Sequence, residues 1–119
     1  MIHKTARGEL VRSKSEVIIA DALFHNHLEY QYEPELVFEG KVKRPDFKIV
    51  DADTGDVWYW EHCGMMSDAK YAKRWAEKEK FYTKHGILRG QNLIVTEEFD
   101  GEGLDSQQIN EMIKDIFSL

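Results

Sequence analysis

The stretch KRPDFKIVDADTGDVWYWEHCGMM, residues 43–66, contains two apolar runs separated by a short polar segment. The runs RPDFKIVDA (44–52) and VWYWEHC (57–63) are rich in branched and aromatic residues, which are typical of β-strands. Pro45 suits the start of a strand, where its missing N–H does least harm. The DTGD segment (53–56) between the runs consists of turn-forming residues. The stretch therefore predicts a β-hairpin.

The residues before this hairpin predict one helix and one more strand. Ser13 and Glu16 form a capping box, and the apolar run that follows predicts a helix to about His27. The segment YQYEPELVFEG (30–40) is rich in aromatic and branched residues and predicts a strand. Pro34 has no N–H to donate, so part of this strand is expected at a sheet edge.

The residues after the hairpin predict a helix, a strand and a closing helix. Ser67 or Asp68 can cap a helix that ends just before Gly86, a typical helix stop. The segment NLIVTEE (92–98) is short, apolar and bounded by polar residues, which indicates a buried strand. The segment SQQINEMIKDIFSL (106–119) has apolar residues along one stripe and predicts an amphipathic helix.

The predicted order of elements is helix, three strands, helix, strand, helix, or αβββαβα. Three consecutive strands joined by short loops predict a meander. A strand that is reached through a helix is expected to pair in parallel by a right-handed crossover. The sequence therefore predicts an α/β fold with a four-stranded mixed sheet flanked by helices, in one domain over residues 1–119.

Composition favours a globular, intracellular protein. Hydrophobic residues make up 42% of the 119, and no apolar run is long enough to span a membrane. The N-terminus MIHKTARGEL lacks the apolar stretch of a secretory signal. A single cysteine cannot form an internal disulfide, which is typical of chains that stay inside the cell. We therefore expect a cytoplasmic location.

The net charge of −6 at first argues against a nucleic-acid partner, but the charge is unevenly distributed. Residues 97–119 contain seven acidic side chains and one basic one, which account for the whole excess. The other 96 residues hold 15 acids and 15 bases, and the bases occur in clusters. A basic surface can therefore coexist with an acidic tail. Solvated charged faces that bind nothing are an equally good interpretation.

Two carboxylates lie near the hairpin ends, Asp46 after the proline and Glu61 after the aromatic run. If the hairpin is centred near Thr54 and Gly55, these side chains are near neighbours across the two strands. Like charges at short distance repel unless something binds between them, and carboxylates with waters hold a hard divalent cation such as Mg²⁺. Two solvent-facing acids at strand ends are the alternative.

A lysine on the second predicted helix is a candidate partner for Glu61. Four side chains of this helix fall on one face: Tyr71, Trp75, Lys78 and Tyr82. The three aromatic ones must pack on the sheet. A lysine among them is costly unless it meets a carboxylate. The alternative is that its stem passes the rings and its ammonium reaches solvent.

Five segments resemble the PD-(D/E)XK nuclease superfamily, in the same order: RSKSE, RPDF, WEHCGM, YAKRWAEKEKFYTKHGI and NLIVTEE. They are similar to a subgroup with WEH-G motifs. In that subgroup the lysine of the X-K motif is absent after the glutamate, and a lysine on the following helix replaces it. Cys63 occupies the position of the absent lysine here. The resemblance covers residues 8–98 and implies a restriction-endonuclease-like core.

The resemblance also implies a role for each matching residue. Asp46 and Glu61 would be metal ligands, with the backbone carbonyl of His62 as a further candidate. Lys78 would be the migrated catalytic lysine. Glu16 would be an outer ligand, although a capping-box glutamate needs no catalytic role. The implied cofactor is Mg²⁺ or Mn²⁺.

The implied activity is metal-dependent hydrolysis of phosphodiester bonds in nucleic acid, with DNA as the expected substrate. Lys14, Lys43 and Arg44 are candidates to hold flanking phosphates without reading sequence. Because a small nuclease core needs help to grip its substrate, a homodimer or a helicase-like protein is the expected partner.

The residues alone leave alternatives open. The domain can be a catalytically inactive nuclease-like module that binds nucleic acid or protein, or an interaction domain whose acidic tail recruits a basic partner. An intact set of Asp46, Glu61 and Lys78 favours the active form, because an inactive module has no reason to keep it. Three aromatic side chains can stack on bases or pack in the core: Tyr30, Tyr32 and Trp58.

Overall fold

A computed structural model describes residues 2–119, which form eight β-strands and three α-helices, numbered here in chain order. Their bounds are β1 His3–Lys4, β2 Leu10–Val11, α1 Lys14–His25, β3 Glu29–Tyr32, β4 Leu36–Phe38, β5 Lys41–Lys43, β6 Phe47–Val50, β7 Val57–Cys63, α2 Ala69–Lys84, β8 Leu93–Glu97 and α3 Ser106–Ile116. Among these described helices, none is both long and apolar enough to cross a membrane.

The central sheet has the strand order β3-β6-β7-β8. Strand β6 is antiparallel to β3 and to β7, whereas β8, which follows α2, is parallel to β7. With the short strand pairs outside this sheet set aside, the order of elements is αβββαβα. The predicted α/β fold with a four-stranded mixed sheet flanked by helices is confirmed.

The predicted hairpin is formed by β6 and β7, with Val50 opposite Val57. Its centre lies between Asp53 and Thr54, one residue earlier than expected. The turn closes in this register because Gly55 adopts a left-handed φ of 78°. A glycine accepts this conformation at little cost.

The prediction of one strand over residues 30–40 is wrong. Strand β3 ends at Tyr32, and β4 leaves the central sheet to pair with β5 in a separate two-stranded hairpin. Between them, Glu33 adopts a left-handed φ of 48° and Pro34 brings no N–H to continue the ladder. Both residues of the turn at 39–40 have positive φ, as the tightest hairpin turns require.

The two longer helices begin at predicted caps. Ser13 Oγ accepts a hydrogen bond from the N–H of Glu16 at 3.1 Å and caps α1. Of the two candidates at the start of α2, Asp68 rather than Ser67 is the cap. The pair β1–β2 has no counterpart in the prediction, because strands of two residues are too short to show a period.

Each face of the central sheet has its own core. Helices α1 and α3 cover one face, where Phe47, Ile49 and Trp60 are fully buried. Helix α2 covers the other face, where Tyr82 is fully buried. Because side chains alternate along β7, Trp60 points toward α1 and α3 while its neighbour Glu61 points toward α2.

The three aromatic candidates for base stacking pack against other aromatic rings. The Tyr30 ring is 5.7 Å and the Tyr32 ring 5.6 Å from the Phe47 ring, between centroids. The Trp58 ring is 5.6 Å from that of Phe117. All three therefore take part in core packing, which was the alternative to base stacking.

Candidate active site

Asp46 and Glu61 meet where the β6–β7 hairpin opens. In the ladder Phe47 lies opposite Trp60, so the next step of the same register brings Asp46 opposite Glu61. Asp46 is half-buried, and its Oδ2 accepts a hydrogen bond from the backbone N–H of His62 at 2.6 Å. Glu61 is only 4% exposed. The two carboxylates share one pocket of about 250 Å³.

Lys78 of helix α2 reaches this pocket. Its Nζ lies 2.5 Å from Glu61 Oε2 and also donates to the backbone carbonyl of Arg44 at 3.1 Å. The Tyr82 hydroxyl donates to the same oxygen of Glu61 at 2.7 Å. The ammonium therefore meets a carboxylate instead of extending past the aromatic rings into solvent.

The charges around Asp46 are not balanced. Burial raises the pKa of Asp46 well above its usual value, and the nearby charge of Glu61 raises it further. Glu16 adds to this effect on the pKa, whereas the His62 N–H and the Lys78 ammonium oppose it. The charges of Glu61 and Glu16 thus both act on Asp46, and one lysine opposes them. A bound cation would relieve this excess of negative charge.

Glu16 approaches the site from the first turn of α1. It is 7% exposed and accepts hydrogen bonds from the hydroxyls of Ser13 and Tyr32, each at 3.1 Å. Both partners are neutral, so they stabilise the carboxylate without cancelling its charge. Glu16 therefore keeps its contact with the helix cap and also adds negative charge near Asp46.

The donors of the pocket fit a hard divalent cation. Within residues 2–119, no group of three or more His, Cys, Asp or Glu side chains is arranged to hold a metal by itself. Mg²⁺ does not need such a cage, because it keeps several waters and binds through one or two carboxylates together with substrate phosphates. Asp46 and Glu61 offer those carboxylates, and the carbonyl of His62 follows Glu61 directly in the chain.

The side chain of His62 belongs to a buried network. Its Nδ1 lies 2.8 Å from Thr96 Oγ1, and its Nε2 lies 2.5 Å from Glu98 Oε2. Ser15 Oγ donates to the same Glu98 oxygen at 2.5 Å, and the Gly103 N–H donates to the other at 2.6 Å. The network thus fixes the position of His62, whose backbone N–H donates to the carboxylate of Asp46.

Glu98 and its network were not predicted from the sequence. Burial alone would raise the pKa of Glu98, but the hydrogen bonds of the network outweigh burial and lower it below its usual value. The network was missed because it joins residues as far apart as Ser15 and Glu98, 83 positions from one another. Its signal in the sequence is the polar end of NLIVTEE, which the parallel register brings beside His62.

Cys63, two residues after Glu61, packs in the core between β7 and α2. It is 2% exposed. Burial, aided by the charge of Glu61, raises the pKa of the thiol to about 12. The thiol is therefore protonated at neutral pH, and its place in the structure is that of a small apolar side chain.

A groove between the β4–β5 hairpin and α2 opens beside the pocket, and two of the three predicted phosphate-binding residues line it. Lys43 ends β5, and Arg44 follows it. Lys14 is exposed in the first turn of α1 and is not among the lining residues. Arg74 lines both the pocket and the groove but was not predicted. Its signal is the run of basic residues on α2.

No protein-family model matches the chain. Over 84 residues, or 70% of its length, the chain is 36% identical to a protein of Methanocaldococcus jannaschii that is described as uncharacterized. The chain spans only 7% of the length of that relative. A segment similar to this one therefore also occurs within a far longer protein.

Proposed function

We propose that this chain is a divalent-metal-dependent nuclease that hydrolyses phosphodiester bonds, with DNA as its substrate. The observation that carries this proposal is the position of the Lys78 ammonium, 2.5 Å from Glu61. It lies beside Asp46, whose negative charge is destabilised by burial and by Glu61. Paired carboxylates with an adjacent cationic side chain suit metal-assisted phosphoryl chemistry. The resemblance to the PD-(D/E)XK superfamily supports the same proposal. We also propose that the protein acts inside the cell, in the cytoplasm.

Asp46 and Glu61 would hold the metal, with the main-chain carbonyl of His62 as a further oxygen and Glu16 as an outer ligand. When bound, Mg²⁺ or Mn²⁺ would supply Lewis acidity, polarising a phosphoryl oxygen and making a water more acidic. The raised pKa of Asp46 supports this assignment, because a carboxylate destabilised by its neighbours gains most from a cation.

Lys78 would supply a fixed positive charge where the phosphate gains negative charge during hydrolysis. An ammonium has three N–H donors, and two are directed to Glu61 and to the Arg44 carbonyl. The third is left for a phosphate oxygen or for the attacking water. A donor that is already held in place stabilises the developing charge without having to reorganise.

Tyr82 would hold Glu61 in position. Burial and the charge of Glu61 raise the pKa of Tyr82, so its hydroxyl stays protonated and keeps donating to the carboxylate. Together with Lys78, this hydroxyl restrains one oxygen of Glu61 and leaves the other for the metal.

We also propose that the domain acts as a module of a larger assembly. A similar segment makes up 7% of a far longer relative, as expected of a domain joined to others. A helicase-like protein or a second copy of this chain would supply the remaining grip on the substrate.

The test is cleavage of single- and double-stranded DNA and RNA with Mg²⁺, with Mn²⁺ and with EDTA. We expect metal-dependent cleavage of DNA that is lost in Asp46→Asn, Glu61→Gln and Lys78→Met. Lys80 is exposed on the same helix, so Lys80→Met is the matched control and should cleave at the wild-type rate. If the wild-type chain cleaves none of these substrates, the proposal is wrong and an inactive module that binds nucleic acid or protein is favoured.

A further inference from the structure

The hairpin formed by β4 and β5, residues 36–43, stands outside the central sheet and packs on α2. The contact is aromatic, because the ring centroid of Phe38 lies 6.2 Å from that of Phe81 and 4.7 Å from that of His85. Between the hairpin and the helix lies an open cavity of about 550 Å³, which we call the hairpin groove.

The hairpin groove is basic, although the chain as a whole is acidic. Five of its lining side chains are cationic, and one, Glu77, is anionic. Arg44 pairs with Glu35 at 2.6 Å, and Lys78 pairs with Glu61 of the carboxylate pocket. Within the described residues, the other three cations form no ion pair: Lys41, Lys43 and Arg74. Cations without partners along one groove create a positive potential that attracts an anion.

The hairpin groove opens onto the carboxylate pocket. Arg74 and Lys78 line both cavities. Arg44, whose carbonyl binds Lys78, precedes Asp46 by two residues in the chain. A polymer that lies along the groove is therefore directed toward the two carboxylates.

Phe81 lies on the wall of the groove, and the ammonium groups of two lysines lie over its ring. The Nζ of Lys43 is 5.0 Å and the Nζ of Lys41 is 6.0 Å from its ring centroid. Phe81 is half-buried, so part of its ring faces the groove. Flexible lysines over an aromatic ring suit a single nucleic-acid strand, because their ammonium groups can move onto the phosphates and leave the ring to stack on a base.

We propose that the hairpin groove binds one strand of single-stranded nucleic acid and directs it to the carboxylate pocket. Lys41, Lys43 and Arg74 contact its phosphates, and Phe81 stacks on a base. The purpose of this binding rests on the proposed nuclease function, but the binding itself does not. A duplex fits less well, because its paired bases do not present their faces to Phe81. An acidic polypeptide matches the charges but offers no base to stack on.

The test is the binding of a fluorescent oligothymidylate to the whole chain in EDTA, where metal-dependent cleavage does not occur. The double variant Lys41→Glu/Lys43→Glu should lower the affinity about tenfold or more. It should also reduce the slope of log affinity against log salt by about 1.4, since each phosphate contact to a single strand contributes about 0.7. Phe81→Leu should lower the affinity about fivefold or more at an unchanged slope, because stacking releases no counterions.

The matched control is Lys4→Glu/Lys114→Glu, which makes the same change of charge at two exposed lysines outside the groove. It should leave the salt slope unchanged and lower the affinity by less than about threefold. Thermal unfolding checks that each variant is folded. If the glutamate variant does not fold, Lys41→Gln/Lys43→Gln gives the same slope measurement without reversing the charge.

Equal losses of affinity in the groove and control variants would overturn this proposal. Wild-type binding by Phe81→Leu, or tighter binding of a matched duplex or a polyglutamate peptide than of the single strand, would overturn it as well. Binding in EDTA separates the two proposals. If the chain cleaves DNA but does not bind it through the groove, only the proposal of strand binding is wrong. If the chain binds a single strand there but never cleaves, only the proposed nuclease function is wrong.

Discussion

The carboxylates on the two sides of strand β7 lie in opposite electrostatic environments. On the side of α1, Glu98 accepts hydrogen bonds from Ser15 and Gly103, and its pKa is lowered in spite of burial. On the side of α2, Asp46 accepts one backbone hydrogen bond, lies beside Glu61 and has a raised pKa. The fold therefore stabilises the anion of Glu98 and destabilises the anion of Asp46.

This difference separates a structural carboxylate from a candidate functional one. A carboxylate whose oxygens are saturated by donors needs no further partner and contributes to stability. A carboxylate that its neighbours destabilise lowers stability until a cation arrives, and perturbed groups of this kind are common at functional sites. The two sides should consequently respond differently to mutation, one in activity and the other in stability.

The largest effect is expected on the α2 side, in activity. Lys78→Met should lower kcat for DNA cleavage by about 100- to 1,000-fold, the usual loss when one preorganised donor to the transition state is removed. Steady-state kinetics of this variant and of Lys80→Met would measure the effect. A kcat within about threefold of wild type would mean that Lys78 does not act on the transition state.

A smaller effect of a different kind is expected on the α1 side. Glu98→Ala should lower the free energy of unfolding by about 2–3 kcal/mol, because it leaves the buried Ser15 hydroxyl and the buried His62 ring nitrogen without their partner. Urea unfolding measures this loss, and Glu111→Ala at an exposed acid of α3 should change it by less than about 0.5 kcal/mol. Unchanged stability of Glu98→Ala together with lost cleavage would reverse the roles assigned to the two sides.

A gain in stability is expected when the destabilised anion is removed. Asp46→Asn should raise the Tm of the metal-free chain by about 2–4 °C, because the amide oxygen still accepts the His62 N–H while the repulsion from Glu61 disappears. Added Mg²⁺ should raise the Tm of the wild type but not of the variant. Thermal shift assays measure both effects. A lower Tm for the metal-free variant would show that the anion of Asp46 stabilises the fold.

The smallest effect is the pH dependence of the contribution from Glu98. The pKa of Glu98 in the folded chain lies below its ordinary value of 4.5. Its stabilising effect is therefore complete above that value and is lost as the pH falls through the folded pKa. The difference in unfolding free energy between wild type and Glu98→Gln should shrink as the pH falls below about 4.5 and through the folded pKa of Glu98. A difference that stays constant over this range would contradict the assignment.

The local parts of the site could be predicted from the sequence. The period of two along 57–63 and the helical spacing of Tyr71, Lys78 and Tyr82 depend on the backbone geometry of single elements. These periods placed Lys78 on the face that packs on the sheet, and its contact with Glu61 follows from that packing.

The non-local parts could not be predicted in the same way. Thr96 meets His62 only because β8 returns through α2 to pair in parallel, in a register that no short segment determines. The β4–β5 hairpin was hidden because Glu33 adopts a left-handed φ, which is uncommon for a glutamate and has no signal in the sequence. The residues of β4, Leu36–Phe38, were consequently assigned to a strand of the central sheet.

The hydrogen bond from Lys78 to the carbonyl of Arg44 has a consequence for how this domain can diversify. Residues 43–46 connect the hairpin to Asp46. An insertion there would displace Arg44, whose carbonyl accepts the hydrogen bond from Lys78. The turn at 39–40 lies at the opposite end of the hairpin, where a change of length leaves the site as it is. A change of length at the tip of the hairpin is therefore expected to leave the carboxylates and the lysine in place.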